Sequence, residues 1–272
     1  MSMKRPNLFA AVAFLAANTA GAQIYVNGPL STGPTTDSGV AAPAGSNWSE
    51  AQHPTGDTTQ ANTNAGYSCS NTTTIQFRCA DDFTVPVGSS GWTVDFVDVF
   101  AYRTGAPASP SPIAAGTLRI WNQPPNAALT GLLCGDKTTN VLVSSTDALM
   151  FRIFNTVAPP PGTASGTTRK VWQNRLQVPA ACAGASFFTP GTYWVDWNTT
   201  SGAQLAHFAP AATVVGTRGL AGWNALQDTT GAEGWIAALD AGNPAAAPDV
   251  PQDFPFQLFG TTPVTLIDLS LE

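Results

Sequence analysis

Charge is scarce in this chain. Asp, Glu, Lys and Arg make up 10% of its 272 residues, with 17 acids against 11 bases. Lysine and glutamate each occur three times, as Lys4, Lys137 and Lys170 and as Glu50, Glu233 and Glu272. Strong helix formers other than alanine are scarce, and no 3.6-residue apolar period runs beyond two turns. A helical bundle and an alternating α/β chain are both disfavoured. Histidine is limited to His53 and His207, and no HExxH, HxH or CxxC is present, so the common zinc signatures are missing. A GxSxG elbow, a dinucleotide fingerprint and a phosphate loop are missing too. The acidic balance, formally −6, argues against nucleic acid and anionic membrane as partners.

The first 22 residues read as a targeting segment. Lys4 and Arg5 precede the apolar run from Leu8 to Ala17, and Ala20-Gly21-Ala22 has the small-x-small form of a signal-peptidase site. Cleavage is expected after Ala22. The run falls short of the ~20 residues of a membrane span, and nothing later reads as one. The remaining chain carries 9 bases and 17 acids, or 9 − 17 = −8. The expected location is secreted, with the periplasm or cell surface as variants. Cys69, Cys79, Cys134 and Cys182 then suit two disulfides. Three pairings are open. Cys69–Cys79 with Cys134–Cys182 is favoured, the first closing a local loop and the second tying distant segments.

Thr, Val, aromatics, 25 Gly and 22 Pro dominate what is left, an all-β composition rich in turns. In Trp92–Tyr102, alternation holds to Phe96 and then both faces turn apolar apart from Asp98. This predicts a bulge near Phe96–Val97 or a sheet covered on both sides. Further strands are expected near 23–27 and at 72–78, 82–86, 116–121, 141–144, 149–155, 169–178, 191–199 and 254–259, with single helical turns at 219–225 and 233–239. The fold class is all-β, an antiparallel two-sheet sandwich of jelly-roll-like order. Residues 23–74 form a loop-rich arm packed on it, anchored by Trp48 and Tyr67, and residues 75–272 form the sandwich domain.

Two candidate sites stand out. Asp81 and Asp82 open a strand, and Asp253 precedes the closing one. If these strands are neighbours, the three carboxylates could form a weak Ca²⁺ site. The alternative is that they cap turns. Second, Trp194 beside Asp196 and Trp121 beside Asn122 could place rings and polar groups outside the sandwich to stack on a sugar. The alternative there is burial.

The succession DDFTVP (81–86), GWTVDFVDVFAY (91–102), LRIWNQPP (118–125), Gly135-Asp136 with Thr138–Asn140, MFRIFN (150–155), GTYWVDW (191–197) and DFPFQLFG (253–260) resembles a group of exported bacterial β-sandwich modules. The resemblance covers roughly residues 75–260. It implies an extracellular jelly-roll-like fold and brings no catalytic residues with it.

The expected function is therefore a non-enzymatic exported module, either binding an extracellular polysaccharide or serving as a structural surface component that self-associates. The alternative is a secreted, glycosidase-like hydrolase on a jelly-roll scaffold, which needs two carboxylates facing a cleft.

Overall fold

A computed structural model describes residues 21–158, 165–179, 182 and 188–262. Most of the segment expected to act as a targeting signal, residues 1–20, lies outside the described residues. The strands, in chain order, are β1 (Ala22–Asn27), β2 (Asn47–Glu50), β3 (Gly66–Ser68), β4 (Arg78–Val85), β5 (Thr93–Tyr102), β6 (Ile113–Trp121), β7 (Leu132–Gly135) and β8 (Leu142–Ile153). They continue with β9 (Lys170–Gln177), β10 (Gly191–Ser201), β11 (Phe208–Pro210), β12 (Leu226–Asp228), β13 (Trp235–Ala237), β14 (Leu239–Asp240), β15 (Val250–Pro251) and β16 (Phe256–Thr261).

They form two main sheets. The first runs β1-β16-β5-β9-β8-β2, with β11 and β3 appended beside β5. The second runs β13-β12-β4-β10-β6-β7. All pairings are antiparallel except β2 with β8. The core lies between the sheets. Successive side chains of a strand point to opposite faces, so β10 buries Val195 and Trp197 inward while Trp194 and Asp196 face outward. Phe83, Val97, Val99, Leu118, Ile120, Leu176, Phe254, Phe256 and Leu258 complete the inner layer. Each such side chain contributes about 1.5–3 kcal/mol by leaving water.

The break in alternation along β5 has both of its expected causes. Its register with β16 jumps from Phe96↔Phe259 to Val94↔Gly260, leaving Asp95 as the extra residue of a bulge. Beyond it the outer face is covered. Phe100, Tyr102 and Val171 pack with Leu30 and Ala65, which come from the segment before β4. Trp48 and Tyr67, also from that segment, are buried.

Three local expectations are corrected. The strand expected at 72–78 does not form: residues 72–77 make a turn closed by the isolated bridge of Asn71 with Gln76, and β4 begins at Arg78, its ladder with β10 running unbroken from Cys79↔Trp197 to Val85↔Gly191. The two short strands expected between 141 and 155 are one strand, β8. Its register on β9 slips between Asp147 and Met150, where Leu149 adopts φ 54°. The helical turns expected at 219–225 and 233–239 do not form. Residues 235–237 pair with β12 instead, so ladder hydrogen bonds outweigh the helix propensity of the local alanines. The cysteines pair as Cys69–Cys79 and Cys134–Cys182, each with Cα atoms 5.5 Å apart.

Candidate functional site

Register on the second sheet builds its outer face. Asp196 of β10 lies opposite Ala80 of β4 on one side and Arg119 of β6 on the other. Two residues further along the same face lie Arg78, Thr117 and Asn198. The Arg78 Nε–H donates to Asp196 Oδ1 at 2.5 Å, and the Arg119 Nε–H donates to Asp196 Oδ2 at 2.6 Å. The Trp121 indole N–H also donates to Oδ2, at 3.1 Å. Arg119 reaches on to Glu233 with both terminal nitrogens, at 2.9 and 3.0 Å. Lys137 closes the chain of charges by pairing with Glu233.

Glu233 arrives from the loop between β12 and β13. That loop is shaped by Asp228, whose carboxylate accepts the N–H groups of Thr230, Gly231, Glu233 and Gly234. Glu233 itself sits at φ 66°. Burial alone would raise the Glu233 carboxyl, but hydrogen bonds from Arg119, Lys137 and Trp235 pull it down to about 2. Burial lowers the Arg78 guanidinium, opposed by the facing Asp196 charge. The network thus holds buried charges in compensated pairs.

The sequence pointed to two of these groups for a different reason. Trp194, Trp121 and Asp196 do meet on this face, with Trp194 opposite Trp121 in register. The rings are not offered to solvent, however: Trp121 is 0% and Trp194 is 4% exposed. Together with Ala80, Leu226 and Trp235 they form a small second core. The hairpin of β12 and β13 brings Leu226 and Trp235 onto them, and only the register reveals that cover. Asn122 stays exposed and anchors its backbone N–H on Gly131. The exposed aromatic platform is therefore corrected.

What opens to solvent beside this network is a cavity of about 250 Å³, lined by Asn71, Gln76, Arg78, Lys137, Thr138, Asn198 and Gly231. Arg78 and Asn198 form its buried floor. A relay fixes that floor. The Arg78 Nη1–H donates to the Thr117 hydroxyl at 2.7 Å, which donates to Asn198 Oδ1 at 2.8 Å. Thr138 is placed by a turn around Asp136, which accepts from the backbone N–H groups of Thr138 and Thr139. The Cys69–Cys79 disulfide joins the two segments that supply Asn71, Gln76 and Arg78. Sequence reasoning missed this pocket. Its only local signals were a lone arginine on a strand beside Cys79 and the Asp136–Asn140 turn.

The acidic trio is brought together at a different place, near the β16 lead-in, with Asp81 on the inward face of β4 and Asp82 on its outward face. Asp81 is fully buried. Its Oδ2 accepts from the Phe254 N–H at 2.6 Å and the Asn27 amide at 2.9 Å, and its Oδ1 accepts from the Asp82 N–H at 2.8 Å. Burial, then repulsion from Asp253, raises Asp81 well above the usual carboxylate range. Burial raises Asp82, and burial with the Asp82 charge lifts Asp253 to about 6. Tyr25 is raised by burial and by these same acids. Among the described residues no group of three or more His, Cys, Asp or Glu is arranged to hold a metal ion. The reason is visible at Asp81, whose oxygens are taken by N–H donors that a cation would have to displace. The trio locks β1, β4 and the lead-in to β16 together, closer to the capping role than to the calcium one.

This arrangement has a measurable sign. A carboxyl whose folded pKa exceeds its unfolded value of ~3.9 binds its proton more tightly in the native state. Its stabilising contribution is complete below pH ~4 and is lost as pH rises to about 6. Urea unfolding midpoints measured from pH 4 to 7 are expected to fall more steeply in the wild type than in Asp253→Asn. The asparagine keeps an oxygen for the Asn224 N–H, which Asp253 accepts at 2.8 Å. Parallel profiles for the two proteins would refute the assignment.

Comparison with protein-family models, curated proteins and solved structures finds no match. No helix among the described residues is long and apolar enough to cross a membrane, and the two cysteine pairs are compatible with a secreted protein.

Proposed function

We propose that the protein is an exported, non-enzymatic β-sandwich module that binds an extracellular carbohydrate in the pocket on the outer face of the second sheet. The observation that supports this reading is the lining. It has three carboxamides (Asn71, Gln76 and Asn198), a hydroxyl (Thr138), a guanidinium and an ammonium around one cavity of about 250 Å³. The volume lies below the ~300–1,000 Å³ of drug-sized sites and suits one small polar unit of a longer chain. Amides and hydroxyls are the groups that exchange hydrogen bonds with sugar hydroxyls. The aliphatic stems of Arg78, Lys137 and Gln76 offer the C–H faces of a sugar ring some apolar contact.

Rigidity adds to this. Arg78 and Asn198 are fixed by the relay through Thr117, so little side-chain entropy is lost there on binding. The carboxylates that a hydrolase would need lie elsewhere. Asp81 is enclosed, with both its oxygens engaged, and Asp196 is spent on two arginines.

Thermal unfolding of the oxidised protein against a panel of soluble polysaccharides tests the proposal. A ligand at a hundredfold excess over its Kd raises stability by about 2.7 kcal/mol. At least one polysaccharide is expected to raise Tm, and the rise is expected to vanish in Asn71→Ala/Gln76→Ala. Both of these side chains are at least partly exposed, so the fold tolerates their loss. A panel without any shift would sink the reading.

A further inference from the structure

We infer that the saccharide unit held in this pocket is anionic, carrying a carboxylate or a sulfate, and that Lys137 is the residue that reads its charge; this rests on the carbohydrate reading above. Three observations carry it.

The first is charge. Among the described residues the ionisable side chains lining the cavity are Arg78 and Lys137, both cations, on a chain whose formal net charge is −6. Their counter-charges, Asp196 and Glu233, stand behind them in the network and not in the wall. Counting Arg119, the network holds three cations and two anions, 3 − 2 = +1. Asp136 and Asp228 flank the same loops. They direct their oxygens at N–H and O–H groups of their own turns, Asp136 to Thr138 and Thr139 and Asp228 to residues 230–234.

The second is the hydrogen-bond balance. Arg78 has five N–H groups. Three are used within the described residues, on Asp196 Oδ1, Thr117 Oγ1 and the Asp196 carbonyl. Two remain on the terminal nitrogens of a residue that lines the cavity. Lys137 has three donors and uses two of them, on Glu233 and, at 3.1 Å, on the Gly231 carbonyl, leaving one. Asn198 takes the Thr117 hydroxyl on its oxygen, so its amide N–H groups are the unspent side. Donors left over on Arg78, Lys137 and Asn198 outnumber the acceptors, which come from the amide oxygens of Asn71 and Gln76 and from the Thr138 hydroxyl, whose proton goes to Asp136. A neutral sugar hydroxyl both donates and accepts, whereas a carboxylate or sulfate only accepts, which is what this lining lacks.

The third is exposure. The Lys137 side chain is 35% exposed while that of Arg78 is 1% exposed. Arg78 is therefore a fixed floor, and Lys137 is the cation that can turn its remaining N–H toward a ligand. Charge-assisted hydrogen bonds of this kind are about twice as strong as neutral ones.

Calorimetric titration of the oxidised protein with four oligosaccharides of equal length separates the possibilities. The probes are an oligogalacturonide, its carboxyl-reduced neutral form, a sulfated oligosaccharide, and its desulfated form. An acidic probe is expected to bind at least tenfold more tightly than its neutral counterpart, with an advantage that shrinks as salt is raised. Binding of the uronide alone or of the sulfated probe alone identifies the source of the charge, and either supports the inference. Lys137→Met keeps the stem, and Glu233 keeps both bonds from Arg119. This variant is expected to lose the tenfold preference while its unfolding midpoint stays, and Lys137→Arg is expected to retain the preference. Equal affinity for acidic and neutral probes would overturn the inference and leave the carbohydrate reading standing. No binding by any probe would remove both. A preference unchanged in Lys137→Met would overturn the role given to that residue.

Discussion

Replacing Asp196 by alanine is expected to lower the unfolding free energy by about 3–5 kcal/mol, the cost of leaving a buried charge without its partner. Asp196 is 0% exposed and receives hydrogen bonds from Arg78, Arg119 and Trp121. The two arginines differ in what remains to them. Arg119 keeps the bidentate pair with Glu233. Arg78 keeps a hydroxyl and a backbone carbonyl, and its counter-ion is gone. The orphaned guanidinium should therefore carry most of the cost. Asp196→Ala/Arg78→Met then becomes the informative control. Removing both charges at once is expected to recover part of the loss, a non-additivity typical of residues in one network. Urea or guanidinium unfolding of the oxidised proteins measures it. A loss under about 1 kcal/mol for Asp196→Ala would mean that the cluster is better solvated than its burial shows.

Removal of the Cys134–Cys182 disulfide should cost about 4 kcal/mol, and removal of Cys69–Cys79 about 3 kcal/mol, from the entropy of closing loops of these lengths. The sequence separations are 48 and 10 residues. The order of the two losses is as informative as their size, since a loss that follows loop length points to the unfolded chain as its main seat. The longer bridge also has a local role. Cys134 lies on β7, a strand of four residues at the edge of the second sheet that pairs with β6 alone. Gly135, Asp136 and Lys137 follow it directly into the pocket wall. Cys134→Ala/Cys182→Ala is thus expected to loosen the Lys137 side of the pocket in amide exchange before the sheet centre, β4 and β10, is affected. Uniform loss of protection across both sheets would contradict that picture. The shorter bridge joins the segments that supply Asn71, Gln76 and Arg78, so both disulfides brace the same cavity.

The candidate site was only partly legible before the fold was known. The sequence offers Asp196 and Trp121 as members of an exposed platform. They lie on the face expected, since period-two alternation places Trp194 and Asp196 opposite Val195 and Trp197. Whether an outward face meets water is a different matter, decided by what packs on it. Here the covering residues, Leu226, Glu233 and Trp235, come from a hairpin about 30 residues beyond β10. Arg78 gives no signal in the sequence because a lone arginine on a strand ordinarily faces solvent. Its counter-ion is 118 residues away in sequence. The acidic trio shows the same limit in reverse. The calcium expectation rests on neighbouring strands, but β4 and β16 lie in different sheets, and the N–H groups of Asn27, Asp82 and Phe254 that occupy Asp81 come from three different segments.

By itself the sequence determined the all-β class of fold, the positions of β5, β6, β9 and β10 and the break in β5, and it favoured, among three open pairings, the cysteine pairing that forms. These follow from local physics: side-chain period, β-branched and aromatic content, turn residues and the entropy of short rings. The tertiary structure alone decided strand order, which outward-facing side chains are covered, and which charges meet. Those depend on register between segments far apart in the chain, and a shift of one residue would turn every side chain to the opposite face. The pocket belongs to this second kind, for its walls come from the loop before β4, the turn after β7, the middle of β10 and the β12–β13 hairpin.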